Sequence, residues 1–411
     1  MERPVFDTLS LPSTRKHHFH VTVLAGPWES EFRRWIGRWS NGRRTLAITT
    51  PTVEKIYGAQ LRAAMAGLVP QPSWFVLPCT EISKTLDTVE QVCAAASNAG
   101  IDRTGALIAI GGGVCSDIVT LAASLFRRGI SHLRIPTTLI GQIDAGIGLK
   151  GGVNFAQRKN YLGCFYPPDA VAVIPRLLAT LTRDGVKQGM AEMVKISCTS
   201  DPRLFTVLEQ QTKELIDSNF QLPEAFAKEA IQRAITAMLK ELRTNPFENR
   251  TLQRAVDFGH TVAHFLEVET AYTLHHGFAV SVDMAFSCVV GWRLGILSFE
   301  MAMRVINLLA ISGLPIHHHA LTEDLIAASF SAAANHRGGA INLVIPTGLG
   351  TYAFLKKKSD LGAKLTREVL DWLRQEQERV LVQTATDTVA GNTDYGGFEV
   401  SSTRPSFEGC L

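Results

Sequence analysis

Three consecutive glycines, Gly111-Gly112-Gly113, close the β-rich run 106–111 and open the helical stretch 117–129. Without a Cβ, such a turn lets backbone approach a ligand closely. The helix behind it offers unpaired N–H groups and the positive end of its dipole. A strand, a glycine turn and a helix in that order make an anion site, and in an α/β sheet a nucleotide pyrophosphate is the natural occupant. The spacing is not GxGxxG, and a plain tight turn capped by Asp117 fits the same residues.

The surroundings of this turn set the fold class. Extended runs at 44–50, 73–78, 106–111 and 132–138 alternate with helical stretches at 54–68, 88–100 and 117–129, which predicts a parallel sheet covered by helices. From about residue 184 the apolar spacing becomes almost wholly helical, as in 185–198, 223–243, 261–269 and 278–297. The expected architecture is an α/β Rossmann-like domain over 1–183 and an all-α domain over 184–375. Residues 376–411, rich in Gly, Thr and Ser, are expected to form a flexible tail.

A length of 411 residues with 46% hydrophobic content supports a sizeable core. The balance of 41 Lys+Arg against 38 Asp+Glu gives a charge of +3, too weak a field to predict a nucleic-acid partner. No apolar run has the ~20 residues of a membrane helix, and residues 1–20 lack the apolar core of a secretory signal. Seven dispersed cysteines read as reduced thiols, so the expected location is the cytoplasm.

Two further clusters carry chemistry. The glycine-rich segment 134–168 holds Thr137, Thr138, Asp144, Lys150, Asn154, Lys159 and Asn160 beside the glycine turn. Such groups suit a second anion, for instance a substrate phosphate, although a solvated loop would carry them equally. In the helical half, Glu192 within 189–195, His260 and His264 within 257–264, and the pair His275-His276 offer an O,N,N donor set for a zinc-type ion. His260 and His264 are four apart, which predicts a shared helical face, and Lys195 shares a face with Glu192. The run His317-His318-His319 reads as a solvated loop.

Together, GGGVCSD, RRGISHLRIPTTLIGQIDAGIGLKGGVN, RKNYLG, GMAEMVK and DFGHT resemble the sugar phosphate cyclase superfamily, whose widespread member is 3-dehydroquinate synthase. The resemblance spans roughly 40–355. IDAGIGLKGGVNF, VDFGHT and HRGGAINLVIPTGLG are most similar to the branch that cyclises sedoheptulose 7-phosphate to 2-epi-5-epi-valiolone and related C7-cyclitols. It implies NAD and a divalent metal, Zn2+ or Co2+, in a cleft between two domains. It places the metal on Glu192, His260 and His276. For the cofactor it implies Thr50, Thr52, Glu81, Lys84, Gly112, Gly113, Val114, Asp117, Thr137, Thr138, Asp144, Lys150, Lys159, Thr180 and Leu181. Lys150, Lys195, His264 and Asp144 become the catalytic candidates. Arg128, Asn160, Lys240, Arg254, Asp257 and His336 become the substrate candidates, with Arg128 reaching the phosphate across a homodimer interface.

The chain departs from the family at several points. Thr50 stands where an acidic residue often holds the adenosine ribose. Phe278 replaces the glutamate of the usual HGE, which implies the loss of a carboxylate beside the metal set. Thr347 and Asp257 replace the Lys and Asn of dehydroquinate synthases, whereas His264 and Lys240 resemble them. The implied reaction is transient oxidation by NAD, phosphate elimination, reduction and an intramolecular aldol closure. The alternatives are 3-dehydroquinate synthase and an NAD- and metal-dependent alcohol dehydrogenase of the same fold.

Overall fold

The computed structural model describes residues 17–156, 158–336 and 338–390. Its first half runs β1 (His20–Val23), α1 (Trp28–Ser40), β2 (Thr45–Thr49), α2 (Pro51–Met65), β3 (Ser73–Val76), α3 (Leu86–Asn98), β4 (Ala106–Gly111), α4 (Gly113–Leu125) and β5 (Ser131–Pro136). A hairpin of β6 (Lys150–Phe155) and β7 (Arg158–Phe165) follows, and β8 (Ala170–Val173) returns to the sheet. All strands of the main sheet pair in parallel, in the order β1-β8-β5-β4-β2-β3. β2, β4 and β8 are buried along their whole length, as their unbroken apolar runs require. Phe32, Trp35 and Leu61 cover one face of the sheet, and Val92, Ile118 and Val119 the other.

The chain leaves β2 outward to β3, then returns to β4 on the opposite side of β2. That reversal opens a crevice at the carboxyl ends of β2 and β4. Thr50, just past β2, and Gly112, just past β4, stand at its lips. A Cβ on the intervening Gly111 would lie 3.2 Å from Thr50 Cγ2.

The second half contains α5 (Arg183–Ser200), α6 (Pro202–Asp217), α7 (Glu224–Thr244), α8 (Ala263–Glu269), α9 (His276–Arg293), α10 (Phe299–Ile311) and α11 (Glu323–His336). An antiparallel hairpin of β9 (Leu343–Gly348) and β10 (Thr351–Leu355) precedes α12 (Ala363–Ala390). This half is thus mostly rather than wholly helical. The expected tail also begins too early, because α12 continues to Ala390. Leu373 packs into the core, and Gln377 Oε1 accepts the Ile316 amide at 2.8 Å. Residues 391–411 of the expected tail lie outside the described residues. Among the described residues, no helix is long and apolar enough to cross a membrane.

α5 and α9 are the buried axis of this half. They meet at Gly277, where a Cβ would come within 2.4 Å of Gln188 Cα and 2.6 Å of its carbonyl oxygen. Only glycine allows that approach, and it sets Glu192 on α5 opposite His276 at the start of α9.

Candidate active site

Glu192 is 1% exposed, and its Oε1 lies 3.1 Å from His276 Nε2 and 3.6 Å from His260 Nε2. One ligand atom from each of the three falls within 4.8 Å of the others. His260 reaches this point by a route the spacing did not predict. Residues 258–262 are not helical, Gly259 takes φ +73°, and α8 begins only at Ala263. His260 and His264 therefore converge from a loop and a helix, with ring centroids 5.6 Å apart. Asp283 on α9 secures the junction by accepting the Val262 and Ala263 amides at 2.6 and 3.0 Å.

Behind the donor set each imidazole is fixed by its other nitrogen. His260 Nδ1 faces the Phe258 carbonyl at 3.0 Å, and since a carbonyl only accepts, that nitrogen carries the proton. His276 Nδ1 lies 3.2 Å from Glu267 Oε2 on α8. Phe278 leaves no carboxylate at the third position of the HGE pattern, and the carboxylate that faces His276 Nδ1 in this chain is Glu267. Sequence reading passed over Glu267, although its three-residue spacing from His264 on an amphipathic helix was the available signal. Burial opposes charge on His276, yet Glu267 and hydrogen bonds to Glu192 and Glu267 push its pKa up to about 9. One carboxylate and two oriented imidazoles are a donor set that fits a zinc-type ion.

Lys195 shares a face with Glu192 as expected. Its ammonium lies 2.6 Å from both Glu192 Oε2 and Asp144 Oδ2. Burial would discharge it, but Asp144 and Glu192 outweigh that and raise its pKa. Burial raises Asp144 in turn. Burial lowers the pKa of His264, whose Nδ1 is 3.1 Å from Glu267 Oε2 and whose side chain is 41% exposed.

On the sheet side, Gly112 caps α4 without any side-chain hydrogen bond, leaving the first-turn amides of Gly113 and Val114 free of a cap. An anion suits those donors. Lys84 is buried below them, bonded to Asp117 at 2.5 Å and Asn160 at 2.6 Å. Burial disfavours its charge, but Asp117 and Glu81 hold its pKa above the ordinary value. Asn154 ties the hairpin to Glu81 at 3.0 Å. The Thr137 amide bonds the Gly111 carbonyl, and Thr138 Oγ1 accepts the Gly141 amide. Thr180 bonds Tyr57 of α2 at 2.9 Å, and Leu181 follows it toward α5.

Arg134, fully buried on β5, fixes the segment that carries Asp144 and Lys150. Its guanidinium donates to the carbonyls of Ala145, Gly146, Gly148 and Lys150 at 3.2, 3.3, 2.6 and 3.1 Å.

A third group lies at the cleft rim. Lys150 Nζ is 2.5 Å from Glu248 Oε1, and Arg254 pairs with both Glu248 and Asp257. The Lys150 side chain is 54% exposed; partial desolvation of its ammonium, with Arg254 nearby, lowers its pKa to about 8. Lys159, expected at a phosphate, is instead paired with Glu267. Thr52, Arg128 and Lys240 are exposed, and no bond among the described residues joins them to these clusters. The side chain of His336 lies outside the described residues.

The 3-dehydroquinate synthase N-terminal family matches residues 74–188, and its C-terminal family matches 189–333. The 2-epi-5-epi-valiolone synthase of Streptomyces glaucescens is 39% identical over 374 residues, 90% of this chain and 94% of that protein. That of Streptomyces hygroscopicus subsp. jinggangensis is 38% identical over 317 residues, covering 76% of each. The solved structure of ValA, a 2-epi-5-epi-valiolone synthase from the latter organism with NAD+ and Zn2+ bound, superposes with a TM-score of 0.82 at 34% identity. It covers 90% of this chain and 100% of that one. With its metal-type donor set beside a nucleotide crevice, the chain belongs to the sugar phosphate cyclases of the 3-dehydroquinate synthase fold.

Proposed function

We propose that this chain is a sedoheptulose 7-phosphate cyclase. It releases phosphate and forms a C7-cyclitol, 2-epi-5-epi-valiolone or an epimer such as 2-epi-valiolone. The observation that carries this is the convergence of Glu192, His260 and His276 with Lys195, Asp144 and His264 in one cleft. Glu192, His260 and His276 would hold the divalent ion, which would supply Lewis-acid chemistry to a sugar hydroxyl, and a bound NAD would supply reversible hydride transfer.

The remaining roles belong to the protein's own groups. The crevice at Thr50, Gly112, Gly113 and Val114 holds the dinucleotide, with Lys84 and Asp117 beneath it. Lys195 keeps its proton and spends two of its three donors on Asp144 and Glu192, leaving one for a substrate oxygen. Desolvation lowers the pKa of His264 and so favours its neutral form. With Nδ1 engaged by Glu267, its Nε2 is the nitrogen free to take and return a proton. Lys150 and the amide nitrogen of Asn160 hold the phosphate, and Asp257 reads the hydroxyl-rich end. Phosphate departs together with the proton on the carbon next to the transient ketone, the hydride lent to NAD returns to the carbonyl carbon, and the aldol closure gains or loses no atoms, so no net reduction of NAD accompanies turnover.

This reading implies a cytoplasmic homodimer in which Arg128 of each copy reaches the phosphate held by the other. A second reading, 3-dehydroquinate synthase, is favoured by His264. Against it, Thr347 and Asp257 take the family's Lys and Asn positions. The decisive experiment incubates purified enzyme, NAD+ and Co2+ with sedoheptulose 7-phosphate or with the dehydroquinate precursor, a C7 keto-acid phosphate. Phosphate release from the first alone, with NMR of a cyclitol, is the expected result. Release only from the second, or steady NADH accumulation, would reject the proposal.

A further inference from the structure

Glu267 is 2% exposed, and its two oxygens are divided between different tasks. Oε2 faces His276 Nδ1 at 3.2 Å and His264 Nδ1 at 3.1 Å, while Oε1 takes the Lys159 ammonium from β7. An ionised carboxylate only accepts, so both imidazoles must present N–H at Nδ1. His276 is thereby obliged to turn Nε2 toward Glu192, and His264 is left with Nε2 as its free nitrogen. The two rings lie almost parallel, 13° apart with centroids at 6.0 Å.

We propose that Glu267 is a positioning residue that sets tautomer and orientation of the ligand His276 and the proton-transfer residue His264 at once. Lys159 neutralises the buried carboxylate and draws the β6–β7 hairpin of the sheet half against α8. This rests on the cyclase reading for His264 but not for the metal set. A buried ion pair with Lys159 and nothing more is the competing account.

The test uses the full chain loaded with Co2+, whose visible spectrum and release to a competing chelator are followed. Glu267→Gln should bind Co2+ about 10- to 100-fold more weakly. It should also shift the visible band and lower kcat more than it raises KM for the sugar phosphate. Glu267→Asp should recover part of each. Lys159→Met should keep Co2+ affinity within about twofold of the parent, since it does not touch His276. Wild-type affinity and spectrum in Glu267→Gln would reduce Glu267 to a structural ion pair and overturn the proposal. If that variant fails to fold, histidine 15N NMR of the unmodified Zn2+ enzyme decides instead. Two Nδ1–H imidazoles, at His276 and His264, support the assignment, and an Nε2–H tautomer at His276 refutes it. Neither metal affinity nor tautomer requires substrate, so failure of the parent enzyme to release phosphate would reject the cyclase reading separately.

Discussion

Lys150 shows how a single ammonium can tie substrate binding to pH. Its pKa, lowered to about 8 by desolvation and Arg254, places its loss of charge just above neutrality. The charged form prevails below that value, so affinity for a phosphate should be full near pH 7 and decline through pH 8 to 9. KM for the sugar phosphate is expected to rise several-fold over that interval, and Lys150→Arg should flatten the profile because a guanidinium stays charged. A steady-state pH series on the two proteins checks this. Glu192 makes a sharper demand: Glu192→Gln removes the anionic donor while leaving its size. Turnover should be abolished and the metal lost on dialysis, as measured by metal content per chain. Full metal content with normal turnover would refute its assignment as a ligand.

At the scale of elements, two close contacts hold the site together. Gly277 lets α9 approach α5, and a methyl group there would meet Gln188 backbone at 2.4 Å. Gly277→Ala should cost about 1–3 kcal/mol by overpacking and move His276 away from Glu192. The melting temperature and Co2+ affinity should therefore fall together. Arg134 makes the second contact, joining β5 to the carbonyls of residues 145–150. Arg134→Met fills much of the same space but leaves those carbonyls without their donor, at a cost on the order of 3 kcal/mol. Thermal unfolding measures the loss. Where the loop still folds, KM for the sugar phosphate should rise more than the metal affinity falls, since Asp144 and Lys150 ride on that segment.

For the whole molecule, function depends on bringing a sheet half and a helical half together. Glu192, His260 and His276 come from α5, a loop and α9, whereas the nucleotide crevice belongs to the sheet. The proposed homodimer with a shared site adds one more level. Arg128 is exposed on its own chain, so Arg128→Ala should lower turnover without altering the fold. Neither Arg128→Ala nor Glu192→Gln should turn over well alone. Mixed and reassembled, they should regain up to about a quarter of parental activity, because half of the dimers then contain one intact site. Absence of any recovery, with subunit exchange verified, would remove Arg128 from the partner's site.

Local order along the chain was enough to determine the α/β half, the glycine turn and the donor types. Each of these depends on neighbours within a few residues: apolar periodicity in β2, β4 and α4, and the run Gly111-Gly112-Gly113. Family resemblance added the choice of His276 over its neighbour and the dinucleotide. Short elements such as β1 and β8 escaped notice because four residues carry little periodicity, and α12 outran a polar composition through packing at Leu373 and Gln377. Tertiary structure alone decided that His260 arrives from a loop rather than from a helical face. It alone decided that Glu267 faces both His264 and His276 and that Lys159 pairs with it. Those outcomes depend on how α8 lies against α9 and the hairpin, a long-range packing arrangement; spacing along the chain pointed to the Glu267–His264 pair but not to His276 or Lys159.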